Sequence, residues 1–324
     1  MDVSSVAATD LDRLLDEHRR ELTGFCYRML GSGLEAEDAV QETMIRAWRN
    51  IDRFEGRSSL RSWLYRIANN VCIDMVRSPQ RRARPMEMGP SSTNANAQLG
   101  EKQEEHAFVQ PVRDASVIDV DGDPADVAAA RETIRLAFVA ALQRLPARQR
   151  CALILCEVLK WPAVDVAQLL DTTVASVNGA LQRARATLAE QQDRKLDPNM
   201  GPENEALLAR YVDAFERYDI TKLVGLLKDD VVLSMPPWKL WLQGPEDFAG
   251  WFLGEGIVCK DGRLIPIDVN GTAGFANYHY VRPGVWEPWA IQVVEVADGK
   301  IVGHHNFIYP ELFTAFGLPE RLEA

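Results

Sequence analysis

Residues 161–188, WPAVDVAQLLDTTVASVNGALQRARATL, are the stretch on which the fold turns. Apolar residues recur at three- and four-residue steps twice, interrupted by Asp171-Thr172, which predicts two amphipathic helices joined by a tight turn. The first is expected to start at Pro162 and to bury Ala163, Val166, Ala167 and Leu170. Thr173 is placed to cap the second, whose core stripe is Val177, Leu181, Ala184 and Leu188. That stripe turns Ala175, Ser176, Asn178, Gly179, Gln182 and Arg183 outward. Small residues there let a helix approach a DNA groove closely. Asn178 and Gln182, one turn apart, can each pair bidentately with an adenine edge, while Arg183 and Arg185 hold phosphates.

Helical period extends around this motif from residue 125 to about 195. Upstream, residues 78–106, SPQRRARPMEMGPSSTNANAQLGEKQEEH, carry no apolar period, so residues 79–124 are expected to be a flexible linker. Residues 10–78 again read as consecutive amphipathic helices: Leu11 to Leu30, then GLEAEDAVQETMIRAWRN, the loop DRFEGRSS, and SLRSWLYRIANNVCIDMVR at 59–77. In the last of these Leu60, Leu64, Ile67, Val71 and Met75 form the core face. Arg61, Arg66, Asn69, Asn70 and Arg77 fall on the other sides. From Arg57 to Arg84 there are 7 arginines against the single acid Asp74, a surface suited to a phosphate backbone. Trp63 and Tyr65 are open between core and stacking platform.

The net charge of the 324-residue chain is -11, which at first argues against nucleic acid. Its distribution reverses that, because residues 203–324 carry most of the surplus acid and the bases of the first 202 residues are clustered. Five scattered cysteines lack zinc or disulfide spacing and read as small buried hydrophobes; no metal and no cofactor is expected. No apolar run reaches the roughly 20 residues that span a bilayer, and the N-terminus has neither basic nor apolar signal character, so a cytoplasmic location without membrane association is expected.

After the short linker DRKLDPNMGP the character changes. One helix, ENEALLARYVDAFERYD, precedes strand-like runs GFANYHYV, WAIQVVEV and KIVGHHNFIY divided by Gly, Pro and Asp turns. This predicts an α+β domain with a curved antiparallel sheet over residues 203–315.

Taken in order, EAEDAVQETMIRAW, FEGRSSLRSWLYRIANN and ASVNGALQRARATL resemble the sigma-70 family, specifically the extracytoplasmic-function sigma factors of bacterial RNA polymerase. The resemblance covers about residues 10 to 195. It implies two all-α domains, region 2 at 10–78 and a helix-turn-helix region 4 at 125–195. Asp38, Gln41 and Glu42 would then lie on the helix that docks on the clamp helices of the polymerase's largest subunit, with region 4 on the flap of the second-largest. Exposed acids suit arginines of such a partner. The loop and helix from Arg57 onward would melt the minus-10 element, with Arg57, Arg61, Arg66 and Arg77 on the backbone of the single strand and Asn69 and Asn70 on a base or sugar. Ala175, Ser176, Asn178, Gly179, Gln182, Arg183 and Arg185 would face the minus-35 element. Many relatives carry Lys or Arg where Asn178 stands, so the minus-35 sequence cannot be transferred from them.

The C-terminal domain resembles the SnoaL-like, nuclear-transport-factor-2-like cone, which implies a barrel around an apolar pocket. MPPWKLWLQG puts Trp238 and Trp241 at its mouth, with Asp268, His279, Trp289 and His305 as lining residues and a small apolar ligand as occupant. Related cones use an Asp or Asp/His pair to abstract protons. No such constellation stands at fixed spacing here, and a regulatory, non-enzymatic domain is the expectation. His304 and His305, adjacent on a strand, point to opposite faces and cannot chelate one metal side by side. Two other readings compete with a sigma factor: a ligand-sensing helix-turn-helix factor that binds duplex DNA alone, and a SnoaL-like isomerase or cyclase with a DNA-binding appendage.

Overall fold

Ser32 and Ser59 each open a helix by accepting a hydrogen bond from the backbone three residues on, from Glu35 N at 3.2 Å and from Ser62 N at 3.1 Å. The computed structural model describes residue 13 and residues 15–54, 56, 58–76, 82–93, 97–189, 196–197 and 201–323. Arg57 and Arg77 lie outside the described residues. The chain divides into two compact units, one of residues 1–81 and 114–192, the other of residues 82–113 and 193–324.

Among the described residues the first unit holds helices and no strands. Helices α1 (Arg19–Leu30), α2 (Gly33–Asn50) and α3 (Leu60–Met75) pack on one another through Leu22, Phe25, Val40, Leu64 and Val71. Gly31, with φ 76°, ends α1 in the left-handed conformation that glycine adopts without a Cβ penalty. The short turn α4 (Asp114–Val117) leads to α5 (Pro124–Glu132), α6 (Leu136–Gln143), α7 (Ala147–Leu153), α8 (Ala163–Leu169) and α9 (Val174–Ala189). Pro162 is the N-cap of α8 rather than its first residue, and Leu169, not Leu170, is the buried leucine at its end. The reason is the turn: Asp171 takes φ 50°, which ends α8 early and lifts Leu170 out of the stripe. Thr173 caps α9 as expected, accepting from Ser176 N at 3.1 Å.

Two buried guanidinium groups tie these helices together. Arg28 on α1 donates to Thr133 Oγ1 at 2.6 Å and to Gly24 O at 2.6 Å. Arg150 on α7 donates to Gln143 Oε1 at 2.7 Å and to the carbonyl of Met29. Burial pulls the Arg28 pKa down to about 10, still far above neutrality, and its carbonyl and hydroxyl partners satisfy the charged form.

The second unit is α+β. Helices α10 (Pro202–Glu216) and α11 (Ile220–Gly225) precede strands β1 (Leu227–Ser234) and β2 (Trp241–Gln243), helix α12 (Pro245–Leu253), and strands β3 (Arg263–Val269), β4 (Thr272–Arg282), β5 (Val285–Ala297) and β6 (Lys300–Phe307). Helix α13 (Glu311–Ala315) and strand β7 (Leu322–Glu323) follow. The sheet order is β2-β1-β6-β5-β4-β3, with β7 on β5; β1 and β6 run parallel and the other neighbours antiparallel. Its concave face closes over Tyr211 and Phe215 of α10 and Phe248, Trp251 and Phe252 of α12.

Most of the expected linker is not flexible chain. Residues 82–113 belong to the second unit, where Ser92 N donates to Trp241 O at 2.9 Å and Gln103 N to Pro237 O at 2.9 Å. Asn270, in the β3–β4 turn at φ 51°, exchanges two hydrogen bonds with Val112, through Oδ1 at 3.0 Å and its own N–H at 3.1 Å. Phe108, Val109 and Val112 are buried. Backbone groups pairing with a sheet's margin need no helical or strand period, so a period search passes over such a strap. The apolar cluster from Phe108 to Val112 was its one sequence signal.

Candidate polymerase and promoter interfaces

On α2 the residues Asp38, Gln41, Ile45 and Trp48 fall on one face at steps of three and four. Asp38 and Gln41 are exposed, and Trp48 is 55% exposed, unusual for a tryptophan. Glu42 is half-buried and paired with Arg46 at 2.6 Å, so it is less available than Asp38. Sequence reasoning assigned the acids and missed Ile45 and Trp48. The signal was a tryptophan and an isoleucine off the Ala36, Val40, Ala47 core stripe of the same helix.

The α3 residues divide. Asn70 is exposed and lines a pocket of about 330 Å³ with Arg46, Asn50, Trp63 and Ile67. Tyr65 is fully buried against Phe25, and Trp63, half-buried beside Phe54, faces the pocket, which resolves the two aromatics. Asn69 is 4% exposed and points inward, against the expectation of a base contact. It lies one helical turn after Tyr65, on the side that packing closes. Arg61 is held by Glu21 at 2.7 Å and lies over the rings of Tyr65 and Trp161. Arg66 is exposed but donates to Gln168 O at 2.7 Å. Trp161 and helix α8 thus engage two of the expected strand-binding arginines.

On α9 Ala175, Ser176, Asn178, Gln182, Arg183 and Arg185 are all exposed, while Gly179 is half-buried. A Cβ at Gly179 would meet Arg183 Nη1 at 3.4 Å, so the small residue keeps the arginine close to the helix surface. Arg185 pairs with Glu157.

In the α+β unit the expected lining residues do not form one constellation. Trp238 is buried, with the Lys102 ammonium 5.2 Å from its ring centre, whereas the Trp241 indole N–H donates to Gly89 O at 2.9 Å. Asp268 is exposed. His305 is buried on the opposite side of β6 from His304, bonded to Ser234 Oγ at 2.8 Å with Glu295 at 3.5 Å. Only His279 and Trp289 come together, their rings stacked at 4.0 Å and 17°. Alternation along β6 separates His305 from the concave face.

That face instead carries a closed hydrogen-bonded ring that sequence reasoning missed. Tyr211 Oη donates to Gln292 Oε1 at 2.9 Å, Gln292 Nε2 to Asn306 Oδ1 at 3.2 Å, and Asn306 Nδ2 lies 3.0 Å from His304 Nδ1. His304 Nε2 returns to Tyr211 Oη at 2.7 Å. The donor count closes only if His304 is neutral with its proton on Nε2. Burial, with a smaller push from His305, pulls its pKa down to about 3, which agrees. Alternating polar residues at 292, 304 and 306 within apolar strands were the available signal. Among the described residues no group of three His, Cys, Asp or Glu side chains is placed to hold a metal, and no helix is long and apolar enough to cross a membrane.

Comparison with known proteins agrees with this division. The family profile of sigma-70 region 2 matches residues 14–82, that of sigma-70 region 4 residues 135–188, and that of the SnoaL-like domain residues 208–304. The ECF RNA polymerase sigma factor SigG of Mycobacterium tuberculosis is 39% identical over 320 residues, spanning 97% of this chain and 85% of that protein. SigJ of the same organism is 27% identical over 94% of this chain and 93% of its own. The crystal structure of Mycobacterium tuberculosis SigJ aligns with a TM-score of 0.62 at 22% identity, covering 95% of this chain and 100% of that one, a likeness of fold. Helical sigma regions followed by a SnoaL-like cone define a sigma factor with an appended α+β domain. The chain belongs to the extracytoplasmic-function sigma factors, which direct RNA polymerase to promoters.

Proposed function

We propose that this sigma factor joins core polymerase through the Asp38, Gln41, Ile45 and Trp48 face of α2, docked on the clamp helices of the largest subunit, with region 4 on the flap of the second-largest. The observation that carries this reading is the exposed stripe of acid, amide and apolar side chains on α2. A factor that bound duplex DNA alone would have no use for a second, protein-directed surface there. Helix α9 reads the minus-35 element through Asn178 and Gln182, with Arg183 and Arg185 on phosphates. The pocket of Trp63 and Asn70 takes an unstacked base of the minus-10 element, and Arg61, Arg66 and the arginines at 57 and 77 follow the strand. Because Arg61 and Arg66 are engaged by the stretch from Trp161 to Gln168, promoter opening requires region 4 to part from region 2.

The cone acts as a regulatory module that responds to a small apolar ligand, rather than as an enzyme. Asp268, the His279 stack and His305 do not converge, and His305, beside its neighbour Glu295, is buried on the side of β6 away from the concave face, which supports that reading. The test is transcription in vitro with core polymerase, comparing the full chain with a truncation at about residue 200. Promoter-specific initiation by both, differing several-fold, is expected. Tight sequence-specific binding of the free protein to duplex promoter DNA, without polymerase, would overturn the first part.

A further inference from the structure

Asn277 and His279 leave the same face of β4, two residues apart: Asn277 lies opposite Ala290 and Phe275 opposite Gln292, and a register shift just after Asn277 sets His279 opposite Glu287. Asn277 is 1% exposed, yet apart from the Cys259 thiol its side-chain amide has no hydrogen-bond partner. Nε2 of His279 is buried without a partner. Tyr211, Gln292, Asn306 and His304 on the same face satisfy one another, so the poorly satisfied Asn277 amide and the orphaned His279 Nε2 contrast with their neighbours. A buried amide that folds away from water without an equal replacement partner is a loss that a bound molecule can reverse.

The surroundings define what such a molecule must look like. The Cys259 thiol, which burial pushes up to about 12 against a smaller pull from Asn277, is neutral and a weak partner. Burial pulls His279 down to about 4, so its ring is also neutral at pH 7 and offers one donor and one acceptor. An ionised ligand group would find no opposite charge among these side chains and would lose its hydration. The backbone of the next segment comes near only because Gly262 has no side chain: a Cβ there would lie 3.3 Å from Asn277 Oδ1 and 2.9 Å from Cys259 O. Just before that segment Leu253, Ile257 and Val258 are 66%, 53% and 57% exposed, an apolar margin to the same part of the unit. Trp289, stacked on His279, offers a flat face.

We propose that Asn277 and His279 form a recognition site for a small, planar, uncharged and mostly apolar molecule with a hydrogen-bond donor and acceptor on neighbouring atoms, as in a hydroxyaryl carboxamide. The Asn277 amide pairs with both groups of that edge, His279 Nε2 with one of them, and the aromatic body lies against Trp289. This deepens the reading of the cone as a ligand-responsive module and rests on it.

The test uses the full chain with two probes of equal ring size, 3-hydroxy-2-naphthamide and naphthalene, measured by calorimetric titration and thermal unfolding. The wild-type protein should bind the naphthamide at least tenfold more tightly than naphthalene. Asn277→Leu, which removes an amide whose one partner is the weak Cys259 thiol, should unfold near or above the wild-type temperature without ligand and lose that discrimination. His279→Phe should lose it in part, and serves if Asn277→Leu does not fold. Equal affinity for the two probes, undiminished naphthamide binding by both variants, or no binding of the naphthamide to wild type at its solubility limit would each overturn the site. Transcription by the truncated protein is a separate readout: unchanged transcription with intact probe binding sinks the modulating role alone, and the reverse pattern sinks this site alone.

Discussion

The guanidinium carbon of Arg61 sits 4.9 Å from the centre of the Trp161 ring, so a residue of region 2 expected to touch promoter DNA is engaged by the residue that leads into the helix-turn-helix. The same Arg61 is paired with Glu21, and the Trp161 ring stands 4.9 Å from that of Tyr65. Breaking this contact should loosen region 4 from region 2. A cation–π contact contributes about 0.5–2 kcal/mol, and Trp161→Leu keeps much of the buried area while removing it. The variant is expected to form open promoter complexes with core polymerase several-fold more readily than wild type. Permanganate footprinting of the minus-10 region would read this, and an unchanged or lower extent of opening would count against that role of the contact.

Trp48 offers a cleaner measure of polymerase docking than the acids. Trp48→Ala removes an exposed side chain, so the thermal unfolding temperature should stay near wild type. Buried on a partner, an anchoring tryptophan typically carries about 2 kcal/mol or more, roughly a thirtyfold loss of affinity. Asp38→Lys should weaken assembly by a smaller, salt-dependent factor. Competition binding to core polymerase at two salt concentrations separates the two effects, and wild-type affinity in both variants would refute the α2 assignment.

Asn178→Ala and Gln182→Ala are each expected to cost about 1–3 kcal/mol and to relax selectivity at one minus-35 position, while Arg183→Ala weakens binding evenly. Transcription from a promoter library randomised at the minus-35 element reads all three. Unaltered position-by-position preference in every variant would show that another face of α9 meets DNA.

The buried ring makes the α+β unit sensitive to acid. His304 has its pKa lowered to about 3 by burial, against an unfolded value near 6.5. Between those values the unfolded chain binds a proton that the folded chain refuses. Stability therefore rises with pH through this window and is lost as pH falls from about 6.5, by up to about 1.4 kcal/mol per pH unit. Urea unfolding followed by tryptophan fluorescence should show this slope in wild type and a shallower one in His304→Gln. Equal slopes would mean that His304 titrates normally.

Asn270→Ala should free the strap. It removes the Oδ1 acceptor for Val112 N and puts a residue less tolerant of φ 51° in the turn, a loss of about 1–3 kcal/mol. Faster proteolysis between residues 82 and 113, with the cone itself resistant, is the expected pattern. An identical digestion course would show that the strap is held elsewhere.

Local pattern made the helices legible. Val177, Leu181 and Ala184 keep a 3.6-residue period that sequence displays directly, and Thr173 and Ser59 are caps whose action reaches three residues. The outward face of α9, the change to α+β character after residue 202, and the opposite pointing of His304 and His305 followed from period alone. What tertiary structure decided is where distant segments meet. Asn69 and Asn70 are adjacent and chemically identical, yet packing buries one and leaves the other at a pocket. Arg61 has exposed helical spacing, yet its guanidinium packs on Trp161, 100 residues away. Residues 82–93 and 97–113 are held by hydrogen bonds that reach β2 and the β3–β4 turn, and the ring of Tyr211, Gln292, His304 and Asn306 joins one helix to two strands. Such contacts have no period, since each depends on geometry that exists only once the sheet has curved and the helices have closed on it.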